Sequence, residues 1–206
     1  MEDKYVYIVF SATCLTVGKT IRVITRNKYN HVSLSLFPNL DNMYSYARYR
    51  LREPLVGGFV VEKPTRYVMG NKCANVKIYK VPIEKTQYIK LLKELQLYKY
   101  RDTNYNMFSF LTYLFRKKVN IPYSYTCVEF VIKLLSKENE LFTIQDLEEK
   151  YKEYLYFEGN ISEISNIQNT TRDDYFKKIP RRIALYHNLK AIKKLARAYI
   201  KKWIIL

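Results

Sequence analysis

The sequence predicts an α+β fold in which helices pack on an antiparallel sheet. Three observations carry that expectation. Short runs that alternate at period two, such as His31-Val-Ser-Leu-Ser-Leu-Phe37 and Met43-Tyr-Ser-Tyr-Ala-Arg-Tyr49, crowd the N-terminal part of the chain. Helical patterns dominate from Glu84 onward. Strands and helices also come in blocks instead of alternating, which favours an antiparallel sheet over a doubly wound parallel one. The chain has 206 residues, 48% hydrophobic and 27% charged, proportions that exclude wholesale disorder and collagen-like architecture. Only 5 Gly and 6 Pro leave little room for a flexible linker.

In chain order, residues 5–10 read as a strand and residues 15–26 as a short helix, with Thr13 or Thr16 as its cap. The two alternating runs flank Pro38-Asn-Leu-Asp-Asn42, which is turn chemistry, so they form a hairpin. Gly57-Gly58 reads as a turn before a short strand at 59–62, and residues 74–81 as a further strand. Residues 84–98 form a helix with Ile89, Leu92 and Leu95 on its inner side. Residues 107–115 and 126–135 are apolar enough for buried helices, the second following the turn Pro122-Tyr-Ser-Tyr125; residues 146–154 form a shorter charged helix. The polar stretch 160–171 marks a boundary, giving a domain over 1–160, a polar connector over 161–175 and a tail over 176–206.

The charge balance calls for an anionic partner: 36 Lys and Arg against 19 Asp and Glu, a net of +17. It is unevenly spread. Residues 176–206 hold ten basic residues and no acid, so the first 175 carry a net of only +7. Within the tail Leu185, Leu189, Ile192, Ala196, Tyr199, Trp203 and Leu206 recur at spacings of four and three, one apolar stripe on a basic helix. A stripe alone does not name its cover: an anionic membrane surface, a partner's acidic groove and the chain's own domain all fit. Three cysteines without a CxxC pair indicate a reducing compartment. The N-terminal apolar run, about six residues, is too short for a secretion signal, and no stretch approaches the ~20 apolar residues that span a bilayer. A cytoplasmic protein with peripheral membrane association is the resulting expectation.

Two histidines and three scattered cysteines make no zinc set, and no cofactor motif is present; Val17-Gly-Lys-Thr20 lacks the earlier glycine of a phosphate loop. His187 reads as a surface residue of the tail. His31 opens a strand, and Cys127 begins a helix in Tyr125-Thr-Cys-Val-Glu-Phe-Val-Ile-Lys-Leu-Leu135. Backbone N–H groups at a helix start favour thiolate over thiol and can receive an oxyanion. A Cys in an apolar helix is more often an ordinary small core residue; Cys14, between a strand and a helix, reads as structural, and Cys73, at a strand edge, as filler.

The ordered set Tyr29-Asn-His-Val-Ser-Leu-Ser-Leu36, Met43-Tyr-Ser-Tyr-Ala-Arg48, Gly57-Gly-Phe-Val-Val-Glu62, Tyr125-Thr-Cys-Val-Glu-Phe-Val131 and Phe142-Thr-Ile-Gln-Asp-Leu147 resembles the circularly permuted NlpC/P60 (papain-like) cysteine hydrolases, the YiiX-like and lecithin:retinol-acyltransferase-like groups. The resemblance covers roughly residues 4–160 and shares that group's reversed order, histidine strand before cysteine helix. It implies a papain-like fold in which Cys127 attacks an amide or ester carbonyl of a peptide or lipid acyl substrate, with no cofactor. His31 takes the thiol proton and gives it to the leaving group, while the Cys127 N–H helps to hold the oxyanion. A third polar residue on the next strand orients the imidazole in this group, and Ser45 stands at the matching place, accepting from Nδ1–H. Glu129, about 200° round the helix from Cys127, should face elsewhere. The alternative is a non-enzymatic protein that binds nucleic acid or an acidic partner through the basic tail, with the 21 tyrosines as stacking platforms.

Overall fold

The computed structural model describes residues 4–13, 15–112, 119–135, 143–167 and 171–204. Strand β1 (Lys4–Ala12) leads into helix α1 (Thr16–Thr25), then β2 (His31–Ser35), β3 (Met43–Arg48) and β4 (Gly57–Glu62). A small hairpin, β5 (Val68–Met69) and β6 (Lys72–Cys73), precedes β7 (Asn75–Ile83) and α2 (Lys85–Tyr100). A parallel pair, β8 (Asn104–Tyr105) and β9 (Ser124–Tyr125), brackets α3 (Met107–Thr112) and delivers the chain into α4 (Cys127–Leu135). Then come α5 (Ile144–Tyr151), β10 (Leu155–Asn160), α6 (Ile161–Ile164) and the long α7 (Arg181–Ile204).

Six strands form one antiparallel sheet in the order β10-β7-β1-β2-β3-β4. This is the α+β class the patterning predicts. Central β1 is covered on both sides, which is why its sequence is almost continuously apolar. Val6, Ile8 and Phe10 join Val32, Leu34 and Tyr46 under α4 and α2, while Tyr7 and Val9 pack with Met43, Val76 and Ile78 under Leu40 and Ile161. The first layer is aromatic: Phe130 of α4 lies 4.9 Å from the Tyr46 ring and 5.3 Å from that of Tyr98, contacts that add to plain area burial.

Several local expectations are corrected. Gly57 and Gly58 are strand, not turn: a Cβ at Gly57 would stand 2.4 Å from the Ala47 carbonyl oxygen, so glycine lets β4 lie against β3. Helix α1 has Leu15 at its N-cap with no side-chain cap bond, so neither Thr13 nor Thr16 serves. In α2 the buried residues are Leu91, Leu95 and Tyr98, while Ile89 and Leu92 are exposed. Cys14 and residues 113–115 lie outside the described residues.

The segments expected as connector and tail are packed. Strand β10 pairs with β7, Ile161 is fully buried, Ser165 Oγ donates to the Asn39 carbonyl at 3.1 Å, and the Lys63 N–H donates to Asp173 Oδ2 at 2.8 Å. Helix α7 docks on the loop after β3. The Leu55 N–H donates to Asn188 Oδ1 at 2.9 Å, and His187, half-buried instead of on the surface, holds the buried Glu53 carboxylate through Nδ1. The docked face carries Ala184 and Leu195, both nearly inaccessible. The predicted stripe is split: Leu185, Leu189 and Ile192 are 62%, 52% and 48% exposed, whereas Ala196 and Tyr199 are half-buried and Tyr199 packs 5.5 Å from the Phe108 ring.

Substitutions should separate the two faces. Leu195→Ala is expected to cost about 2–4 kcal/mol, read from urea midpoints, as buried leucine truncations do. Leu185→Ser should stay within about 0.5 kcal/mol. Equal costs would show that the docked face is wrongly assigned.

Candidate active site

The N-terminus of α4 is built by a reciprocal pair. The Thr126 N–H donates to Glu129 Oε2 at 2.7 Å, and the Glu129 N–H donates to Thr126 Oγ1 at 3.2 Å, a capping box that fixes the first turn. Glu129 thus serves the helix start and turns away from the thiol. Cys127 occupies the first helical position, where N–H groups have no intrahelical acceptor. Its neighbours Thr126 and Val128 line the same cavity as Cys127 itself.

His31 is placed from the other side. Asn30 ties the approach to β2 down: its Oδ1 accepts from the Thr13 N–H at 3.0 Å and from Arg22 Nη1 at 2.6 Å, while its own N–H donates to the Ser11 carbonyl. As the first residue of β2, His31 stands where the sheet ends, its imidazole within interaction range of the Cys127 thiol. The opposite ring nitrogen, Nε2, is 3.1 and 3.2 Å from the two oxygens of Glu62. Nδ1 is therefore the nitrogen left for the thiol.

Glu62 ends β4 and is fully buried. Register explains its reach. Ser35 pairs with Met43 and Met43 with Glu62, so by alternation His31, Ser45 and Glu62 share one face of the sheet along a diagonal. Ser45 Oγ donates to Glu62 Oε1 at 2.9 Å. The turn after β4, Pro64–Tyr67, folds back to add the Tyr67 hydroxyl on Oε2 and Arg66 Nε at 3.5 Å from Oε1. Every side of the carboxylate is met, as a buried charge requires.

Sequence reasoning brings Cys127 and His31 forward, and the fold puts them in contact. Ser45 stands one step back: it meets Glu62 instead of the imidazole, and the group on the ring is a carboxylate at Nε2, not a hydroxyl at Nδ1. Glu62 went unselected because it lies two strands from His31, and no linear spacing reports a sheet diagonal. One signal was present, an acid closing the otherwise apolar run Gly57-Gly-Phe-Val-Val-Glu62.

The electrostatics follow from this packing. Burial alone would lower the His31 pKa, but the Glu62 charge and the bonds to Cys127 and Glu62 outweigh it and raise it well above 6.5. Burial alone would raise the Glu62 pKa, but the charges of His31 and Arg66, with the bonds from His31 and Tyr67, hold it below 4.5. Cys127, His31 and Glu62 open on one cavity of about 410 Å³ whose other walls are largely apolar, among them Leu15, Ile21, Leu55, Met107 and Ile144. A thiol, an imidazole and a carboxylate in contact order are the parts of nucleophilic catalysis. No protein-family model, curated protein or solved structure matches the chain.

The ion pair has a pH signature. His31, with its pKa raised, contributes stability in full below the unfolded value of 6.5 and loses it as pH rises through the folded value. Glu62, with its pKa lowered, contributes in full above 4.5 and loses it as pH falls. The stability gap between wild type and Glu62→Gln, read from urea midpoints, should therefore peak between these two values and narrow by about pH 9. A gap constant from about pH 5.5 to 9 would mean that Glu62 does not hold the imidazole charged.

Proposed function

We propose that the chain is a cysteine hydrolase or acyltransferase that cleaves an amide or ester through an acyl-enzyme at Cys127. The observation that carries this is the contact order Cys127, His31, Glu62 at the end of one cavity. His31 holds the thiol proton. The Cys127 sulfur attacks the carbonyl carbon, the S–C bond forms, and the carbonyl electrons move to oxygen, which the N–H groups of the first α4 turn receive. The tetrahedral intermediate then collapses, and the bond to the leaving nitrogen or oxygen breaks as His31 protonates it. Water, or an acceptor alcohol or amine, attacks the thioester, gives its proton to His31 and releases the sulfur. Glu62 keeps the ring charged and oriented, and Ser45, Tyr67 and Arg66 keep Glu62 in place. The reversed order of histidine and cysteine agrees with the circularly permuted papain-like group, which supports a papain-like reading of the sheet and helix α4.

The apolar walls favour an acyl group of low polarity over a polar peptide. Helix α7 supports delivery at a membrane surface: Leu185, Leu189 and Ile192 are exposed beside an acid-free set of lysines and arginines, a composition complementary to anionic lipid. No helix among the described residues is long and apolar enough to cross a membrane, so such association would be peripheral. The nucleic-acid alternative loses its stacking platforms in part, because Tyr29, Tyr46, Tyr79 and Tyr98 are core residues.

Iodoacetamide at neutral pH should label Cys127 ahead of Cys73 and Cys14, and His31→Ala should slow that labelling by at least about tenfold. Equal labelling of the three thiols would sink the enzyme reading. For the surface, replacing Leu185, Leu189 and Ile192 by Glu should abolish flotation with phosphatidylserine vesicles while Cys127 labelling persists. Flotation that survives the triple substitution would remove the helix from this role.

A further inference from the structure

We infer that the substrate carries an anionic group, a carboxylate or a phosphate, that binds Arg48 inside the cavity. This inference rests on the cysteine reading above and specifies its substrate. The charged walls of the cavity are Arg48, Arg66 and Glu62, together with the His31 imidazole. Their partners are unequal. Arg66 is spent: Nε faces Glu62 Oε1 at 3.5 Å, Nη1 faces Asp173 Oδ1 at 3.5 Å, and Nη2 donates to the Arg48 carbonyl at 2.6 Å. Glu62 is spent on His31 and Arg66. The Arg48 guanidinium has no carboxylate partner among the described residues; its contact is the Tyr175 ring, 5.7 Å from Cζ to centroid. Among the described residues, the Arg48 charge on the cavity wall has no acid to meet it.

That charge is also held in place. Arg48 closes β3 opposite Gly57, and its carbonyl is pinned by Arg66. Tyr175, nearly fully buried and lining the same cavity, lies under both guanidinium groups, with Arg66 Cζ at 4.2 Å from the ring centroid. Tyr175 is in turn fixed by its N–H donating to Asp173 Oδ1 at 2.8 Å and by its carbonyl accepting from the Leu51 N–H at 2.9 Å. An arginine held against an aromatic ring keeps its planar fork of donors available, which suits bidentate capture of a carboxylate or phosphate. A wholly neutral lipid acyl chain would leave this group partly desolvated and unpaired in an apolar cavity, at a cost that a matching anion removes.

The test uses thiol probes of graded length: N-iodoacetyl derivatives of glycine, 4-aminobutanoate and 6-aminohexanoate, each against its primary amide. N-iodoacetyl ethanolamine phosphate against N-iodoacetyl ethanolamine forms the phosphate arm. In the wild type the anionic member should label Cys127 faster than its neutral partner, with the advantage greatest at one chain length. The arm giving the larger advantage tells carboxylate from phosphate. In Arg48→Gln that ratio should fall by about tenfold, the size expected for a charge-assisted hydrogen bond, and Arg48→Lys should keep part of it. Neutral probes that label Cys127 with no anionic advantage at any length in either arm would overturn this inference and leave the cysteine reading standing. An advantage unchanged in Arg48→Gln would assign the anion to His31 and overturn it equally. Failure of every probe to label Cys127 ahead of Cys73 would remove both readings.

Discussion

A carboxylate in a protein interior must have its charge met, because an unpaired ion there costs several kcal/mol. Glu62 is such a group, and much of the molecule is arranged around it. Two strands supply His31 and Ser45 on the same sheet face, and the turn after β4 supplies Arg66 and Tyr67. Arg66 needs its own counter-charge, and that comes from Asp173, far along the chain, which also accepts from the Lys63 backbone. The region that composition marks as a polar connector is thus drawn into the surroundings of the imidazole. Within that region Ser165 and Asp173 are buried and bond inward, to the Asn39 carbonyl and to Lys63 and Arg66.

The same pattern explains what was legible in the sequence. Strands read well, since β1, β2, β3 and β7 have the runs that a pleated, buried surface demands, and the α+β class follows from their order. His31 and Cys127 were legible because each is a rare residue type at the start of an element. Glu62 was not, since its function depends on register: a shift of one residue would turn it to the other face. Ser45 sits on the correct face and was assigned the role that its neighbour across the diagonal fills. A hydroxyl orients an imidazole but cannot hold it charged, whereas a carboxylate does both. Ser45 instead donates to that acid and helps to hold it.

Helix faces were the weaker part of the reading, for one physical reason. In α2 and α7 the expected inner face was the one richest in large apolar residues. In α7 the docked face combines one large apolar residue, Leu195, with Ala184, Asn188 and the His187–Glu53 pair, small or polar groups that let the helix approach closely and satisfy a buried loop. Leu185, Leu189 and Ile192 were left outside, and a stripe count is blind to the distinction because it scores hydrophobicity and not contact. In α2, Ile89 and Leu92 are similarly exposed while Tyr98, polar by its hydroxyl, is packed.

The net charge of +17 therefore divides into parts with different physics. Lys190 and Lys193 on α7 lie in water, where salt screens them within about 10 Å, so any attraction they exert is confined to close, densely charged surfaces at modest ionic strength. Arg48 lies on the wall of a largely apolar cavity against the Tyr175 ring, where screening is weaker and a single matched anion would suffice. Helix α7 ties to the loop that contributes Leu55 to the cavity, through Asn188, so the two charge sets are mechanically close although electrostatically separate. On the proposed reading, a surface that gathers anionic lipid and a cavity that accepts one anion place complementary requirements on the same substrate. The first would raise its local concentration, and the second would set which of its bonds lies against Cys127.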